Sequence, residues 1–198
     1  MKPVGLCLVL CLGFVVPAGG AMASSLYRIQ PATTTIGFSV DTLGMFTTNG
    51  SFTAFDGNLL LDFEQPQNSR VEVRVDTASV QVDSDEAKSM LSSSDYFDPP
   101  QFPVMRFKAI SVEPAGDGKV AITGDLTIRG VTRPQILQAE LTGRRYDPAE
   151  RAEVADFVVS GTVDRAAFGM VADQSFVSKE VQLQISAHIK LQTAAAGN

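Results

Sequence analysis

The sequence predicts an all-β domain, an antiparallel barrel of about eight strands with one short helix. Apolar and polar residues alternate with a period of two through most of the chain after residue 24, which is typical of strands with one dry and one wet face. Turn-forming residues recur roughly every eight to twelve positions. Sandwich and closed barrel both fit such strands, and the uniform one-sided alternation favours a sheet that closes on itself.

The N-terminal part of the domain contains five predicted strands. In the second, Ile36, Phe38 and Val40 share one face and alternate with polar or small residues. The third is rich in glycine, threonine and phenylalanine and ends at the turn signal Asp56-Gly57. The predicted strands span residues 27–29, 34–41, 44–55, 59–63 and 70–76.

The pattern becomes helical at residues 83–86. Their acidic side chains suit the positive end of a helix dipole, and Ala87, Met90 and Leu91 share one helical face. Residues 95–103 then hold three prolines and three aromatic residues. We interpret them as a stiff apolar segment that is either a plug in the core or a lid over a cavity.

The best-specified stretch is an amphipathic hairpin at residues 120–141. Ile122, Leu126 and Ile128 alternate with polar neighbours, and Gly130 marks the turn. The return strand alternates in the same way, and a proline near its start limits pairing there. We expect the three apolar side chains to face the interior.

Three more strands are predicted at residues 105–109, 155–159 and 181–191. Their alternation is as regular as that of the hairpin, and the last strand is the clearest. The side chains expected to face inward include Met105, Phe107, Phe157, Leu183 and Ile185.

The connections between these strands are predicted as loops. Residues 113–119 form a hairpin loop, and the charged residues 143–153 form the least constrained loop of the chain. Residues 164–170 form a compact turn, in which we expect Arg165 to cap a barrel end by pairing with Asp164 or with a carbonyl group.

The chain begins with the features of a secretory signal peptide. Lys2 precedes a short apolar run, and Ala21-Met22-Ala23 is a small-x-small cleavage site. We therefore expect residues 1–23 to be removed, residues 24–192 to form one barrel domain and residues 193–198 to be a flexible tail. Such a leader predicts export to the periplasm.

Charge restricts the partners. The whole chain carries a net charge of −6 and has no tryptophan, and its lysines and arginines are scattered. This excludes an extended phosphate-binding stripe and disfavours adhesion to anionic lipid, so we expect no nucleic-acid partner and no stable membrane insertion. A homodimer is left open.

The inventory of catalytic groups is poor. Both cysteines lie in the predicted leader, and His188 is the only histidine. We interpret it as a solvated residue on the outer face of the last strand, and Asp83, Asp85 and Glu86 as a helix start rather than a calcium loop. The sequence thus predicts neither a catalytic triad nor a metal site.

The ordered motifs of the domain resemble the YceI-like proteins. No single motif is specific, but together and in order they cover nearly all of residues 24–192. They are Phe38-Ser-Val40 with Gly44, Gly50-Ser-Phe52, Phe55-Asp-Gly57, VEVRVDTASV at 71–80, SDYFD at 94–98, Phe102-Pro103, GDLTIRGVTRP at 124–134, Asp164-Arg165 and Phe168-Gly169. The resemblance implies an exported lipocalin-like barrel that binds a long-chain amphiphile such as a polyisoprenoid.

Two positions depart from that family. Thr42 stands where the family often has a histidine, and residues 87–91 read AKSML where it often has Arg-Asp-x-His-Leu. These changes disfavour a pyrophosphate headgroup or a metal. They favour a less charged amphiphile, such as a quinone, a free isoprenoid or a fatty acid derivative.

The resulting hypothesis is a barrel that binds, sequesters or transports such a lipid without catalysis and needs no other cofactor. Two alternatives remain: a stress-related exported barrel with a packed interior that acts through protein contacts, and, more weakly, a hydrolase. The residues predicted to line an apolar tunnel are Phe38, Val40, Phe46, Phe52, Val73, Met90, Leu91, Phe97, Phe102, Met105, Phe107, Ile122, Leu126, Ile128, Phe157, Phe168, Leu183 and Ile185.

Overall fold

The computed structural model describes residues 24–192, so the predicted leader and tail lie outside the described residues. Eleven strands and one α-helix form the domain. In chain order they are β1 Ser25–Ile29, β2 Thr34–Thr42, β3 Phe46–Phe52, β4 Phe55–Leu61, β5 Arg70–Asp76, β6 Val80–Val82, α1 Asp85–Leu91, β7 Val104–Gly116, β8 Lys119–Ile128, β9 Val131–Asp147, β10 Ala152–Asp164 and β11 Val177–Leu191.

The strands close into an antiparallel barrel. The ring runs β1-β4-β5-β7-β8-β9-β10-β11, and β1 pairs with β11 to complete it. Strand β2 continues β1 along β11, β3 pairs with β2, and β6 pairs with β3. Three of the eight strand positions around the barrel wall are therefore each filled by two short strands. This confirms the predicted eight-stranded barrel with one short helix.

The barrel has two distinct ends. At the helix end lie α1 and residues 43–45, 129–130 and 165–176; at the hairpin end lie residues 62–69, 117–118 and 148–151. This arrangement follows from the register, because Thr42 at the end of β2 pairs with Val177 at the start of β11. No helix within residues 24–192 is long and apolar enough to span a bilayer.

The helix and the segment that follows it complete the wall beside β6. Ser84 caps α1, its hydroxyl accepting from the backbone N–H of Ala87 at 3.1 Å, as the acidic start of this helix suggests. Thr77 fixes the next segment, because its backbone N–H donates to the carbonyl of Pro103 at 3.0 Å and its hydroxyl to that of Phe102 at 2.7 Å.

Two loop predictions were too long. Strands β7 and β8 extend to a two-residue turn, Asp117-Gly118, in which both residues have positive φ, as a tight hairpin requires. The charged stretch 143–153 is mostly strand, because its charges pair along the sheet: Arg144 contacts Glu153 and Arg145 contacts Asp156, each at 2.7 Å.

Candidate functional site

The barrel encloses a cavity of about 670 Å³ that extends from the helix end to the hairpin end. Its middle is lined by aliphatic and aromatic side chains from almost every strand. Leu183 and Ile185 face inward from β11, border the cavity and are only partly buried. The interior is therefore not packed solid, contrary to the alternative that assumed a filled core.

All but three of the residues predicted to line a tunnel lie on this cavity. They are Phe38, Val40, Phe52, Val73, Met90, Leu91, Phe97, Met105, Phe107, Ile122, Leu126, Ile128, Phe157, Leu183 and Ile185. Their contact with a ligand stays a prediction.

The remaining three phenylalanines lie elsewhere, so their assignment to the tunnel is wrong. Phe46 has the inward phase of β3, but it stands at the strand end beyond the wall and is 62% exposed. Phe102 packs outside the cavity, 3.6 Å from the position of a Cβ at Gly130 and beneath the Arg129 guanidinium. Phe168 is buried in the core below the helix end.

The helix end of the cavity is closed in part by Tyr96 and Arg165. The phenol of Tyr96 donates to Asp173 at 2.9 Å, and burial, reinforced by that bond, raises the pKa of Tyr96 to about 12. Arg165 is 3% exposed and donates to the carbonyls of Met170, Val177 and Ser178, which confirms the predicted carbonyl cap.

The segment 95–103 acts as both a plug and a wall. Tyr96 is buried, and its carbonyl accepts from the Arg129 guanidinium at 2.6 Å, while Phe97 borders the cavity and packs edge-on against Phe52. The sequence identified the apolar character of this segment, and the structure shows that it is fixed to the barrel by hydrogen bonds at several points.

Polar groups are few along the cavity wall. At the helix end, the hydroxyls of Thr42 and Thr48 lie 3.5 Å apart across β2 and β3. At the hairpin end, Asp62 is buried, and backbone N–H groups, that of Gln65 foremost, lower the pKa of its carboxyl group. Thr34 is buried beside the cavity, and its hydroxyl has no hydrogen-bond partner.

Sequence reasoning missed part of the wall near the hairpin end. Phe63 follows β4 and contacts Phe157 by stacking and Tyr27 edge-on. Ile29, Leu59 and Leu137 also border the cavity. The period-two alternation of their strands could have identified Ile29, Leu59 and Leu137, since each has the inward phase.

His188 is not the solvated residue that its strand phase suggests. Its Nδ1 lies 2.5 Å from Asp156 and its Nε2 lies 2.9 Å from Glu150, on the outer wall near the hairpin end. The hydrogen bond to Asp156, followed by that to Glu150, raises the pKa of His188. Within residues 24–192 there is no group of three or more His, Cys, Asp or Glu residues arranged to hold a metal ion.

The barrel and its apolar cavity define the class of protein: a closed antiparallel β-barrel built around an internal apolar cavity. The model of the YceI-like domain matches residues 27–189, and the chain belongs to this family. A UPF0312 protein of Photorhabdus laumondii is 37% identical over 76% of this chain and 78% of its own length. Protein YceI of Escherichia coli is 34% identical over 85% of this chain and 88% of its own.

Solved structures show the same fold. BcnA of Burkholderia cenocepacia superposes with a TM-score of 0.73 at 21% identity, covering 83% of this chain and 99% of BcnA. A polyisoprenoid-binding domain from Saccharophagus degradans superposes with a TM-score of 0.60 at 12% identity, covering 85% of this chain and 99% of that domain.

Proposed function

We propose that this protein binds a long-chain, weakly polar amphiphile inside the barrel and sequesters or carries it without chemical change. The observation that carries the proposal is the apolar cavity of about 670 Å³. This volume lies within the range of roughly 300–1,000 Å³ that is usual for small-molecule sites. The family membership and the fold shared with a polyisoprenoid-binding domain support a lipid as the ligand.

The lining indicates the chemistry of the ligand. Aliphatic and aromatic walls favour a chain of methylene or prenyl groups, since each buried CH₂ contributes about 0.8 kcal/mol. Both buried charged groups on the wall are already engaged: Arg165 holds three carbonyls, and Asp62 accepts from backbone N–H groups. An uncharged headgroup, such as that of a quinone, a free isoprenoid alcohol or a fatty acid ester, fits these conditions.

Export is part of the proposal and rests on the sequence. The leader at residues 1–23 has the composition of a cleavable signal peptide. We therefore place the protein in the periplasm, where a water-insoluble lipid needs a carrier or a store.

The test is lipid analysis of the protein produced with its own leader and purified without detergent. We expect native mass spectrometry to show one bound lipid per chain and extraction to identify it. The Val159→Trp variant should lose the lipid, because Val159 borders the cavity, whereas Val158→Trp on the outer face should keep it. A wild-type protein that carries no lipid and takes up none would overturn the proposal.

A further inference from the structure

Exposed apolar side chains cluster at the helix end of the barrel. Met45 is 80% exposed, and Phe46 and Phe176 are 62% and 59% exposed. With Leu43, Val171 and the partly exposed Met90, they form a set that we call the apolar collar. The collar joins three elements: the β2–β3 connection, the β10–β11 connection and α1.

Backbone hydrogen bonds hold two parts of the collar together. The N–H of Leu43 donates to the carbonyl of Phe176 at 2.6 Å, and the N–H groups of Phe176 and Val177 both donate to Asp173 at 2.8 Å. Leu43 also has a φ of 55°, a conformation in which an aliphatic residue is uncommon. Polar residues usually occupy such turns, so the apolar tips need an explanation.

The collar is continuous with the cavity. Thr42, Met90 and Val177 border the cavity, and the collar residues Leu43 and Phe176 are the chain neighbours of Thr42 and Val177. The collar therefore adjoins the helix end of the cavity, through Met90 itself and through the chain neighbours of Leu43 and Phe176.

The charges near the collar narrow the choice of partner. Asp41, Asp83, Asp85, Glu86 and Asp173 lie on or beside the same connections and outnumber the neighbouring lysines, Lys88 and Lys179. These carboxylates oppose nucleic acid and anionic lipid, while exposed phenylalanine, leucine and methionine suit the boundary between headgroups and acyl chains.

We propose that the apolar collar docks onto a phospholipid bilayer with zwitterionic headgroups and inserts its tips shallowly, so that the cavity opens toward the acyl chains. This partner rests on the proposed function, because a lipid ligand that is nearly insoluble in water must be exchanged with a bilayer. We expect the attachment to be reversible, since the collar offers only a few apolar side chains.

Flotation with phosphatidylcholine vesicles tests the collar. We expect the wild-type protein to float with the vesicles and the Phe46→Ser/Phe176→Ser variant to bind at least about tenfold more weakly, because two large apolar side chains leave the interface. The matched control is Ile110→Ser/Ile136→Ser, which removes two exposed isoleucines from the outer barrel wall and should float as the wild type does. Equal binding by all three proteins, or no binding by the wild type, would overturn the proposal.

Two further results decide between partners. Replacing part of the phosphatidylcholine by phosphatidylglycerol should weaken binding, since the chain has a net charge of −6; stronger binding would contradict the charge argument. A dimer that the Phe46→Ser/Phe176→Ser change dissociates, with vesicle binding unchanged, would make the collar an interface between two copies and would also overturn the proposal.

The lipid content of the same variants separates this inference from the proposed function. Phe46 and Phe176 do not border the cavity, so the double variant should still hold a lipid added in solution. If the protein docks but never holds a lipid, the proposed function fails and the collar stands. If it holds a lipid but never docks, the collar proposal fails alone.

Discussion

The ring of Phe38 lies directly over Gly50, its partner across β2 and β3. A Cβ placed on Gly50 would come within 2.2 Å of the Cζ atom of Phe38. The absence of a side chain at this position lets the ring lie against the wall, and the space in front of the ring belongs to the cavity.

Replacing Gly50 by alanine should leave the fold intact and reduce the cavity. The atoms nearest to the added methyl group belong to the far end of the Phe38 ring, which can swing into the open interior. We expect a small change in thermal unfolding and a clear loss of affinity for the longest ligands, measured by circular dichroism and by titration.

Gly124→Ala is the matched comparison. There the added Cβ would lie 2.6 Å from the carbonyl oxygen of Lys108, a backbone atom on the paired strand that cannot rotate away. We expect a loss of about 1–3 kcal/mol in the free energy of unfolding. Equal stability of the two alanine variants would contradict this account of the wall.

The inward facing of one side chain on β7 and one on β8 can be tested by replacing each with aspartate. Leu126→Asp and Phe107→Asp place a carboxylate on the apolar wall, and we expect a destabilisation of several kcal/mol in urea unfolding. Thr127→Asp on the outer face should be tolerated, although it removes the bond to Thr132. Similar stability of the three variants would refute the assigned facing.

The sequence predicted the features of the fold that depend on local patterns, such as strand alternation and helix capping. In the β8–β9 hairpin, a period of two placed Ile122, Leu126 and Ile128 on the cavity wall, as the structure shows. Ser84 caps α1 at the predicted acidic start. Both features depend on residues close in sequence, so the pattern of one segment is enough to predict them.

Features that depend on contacts between residues far apart in sequence could not be predicted from local patterns. His188 has an outward phase, but its environment is set by Asp156 and Glu150, more than thirty residues away. Phe46 has the inward phase but lies where the wall ends, which strand phase does not reveal. The apolar collar was not predicted for the same reason, since its three elements come together only when the barrel closes.

Thr34 offers a test of an unpaired buried hydroxyl. Because its oxygen makes no hydrogen bond, Thr34→Val should leave the free energy of unfolding unchanged or raise it by about 1 kcal/mol. Thr77→Val is the control, since the Thr77 hydroxyl donates to the carbonyl of Phe102 and its loss should cost about 1–2 kcal/mol. A marked loss of stability in Thr34→Val would show that its hydroxyl is bonded after all.

The contacts of His188 predict a pH dependence with a defined sign. The two carboxylates raise its pKa in the folded chain, so the stabilisation is fully present below the unfolded value of about 6.5. It is lost as the pH rises through the higher folded pKa.

An NMR titration of the single histidine gives its folded pKa directly. Urea unfolding on both sides of that value should show a stability decrease that His188→Asn abolishes. A folded pKa at or below 6.5, or the same pH profile in both proteins, would show that Asp156 and Glu150 do not stabilise the charged ring.

Binding of a long apolar chain in the barrel interior is best tested by measuring the dissociation constant against chain length. For a series of uncharged straight-chain alcohols, we expect each added CH₂ to tighten binding about fourfold until the cavity is full, from about 0.8 kcal/mol per group. Val159→Trp should end that trend at shorter chains, and Val158→Trp should leave it unchanged. Affinities that do not depend on chain length, or that respond equally to both variants, would contradict the account.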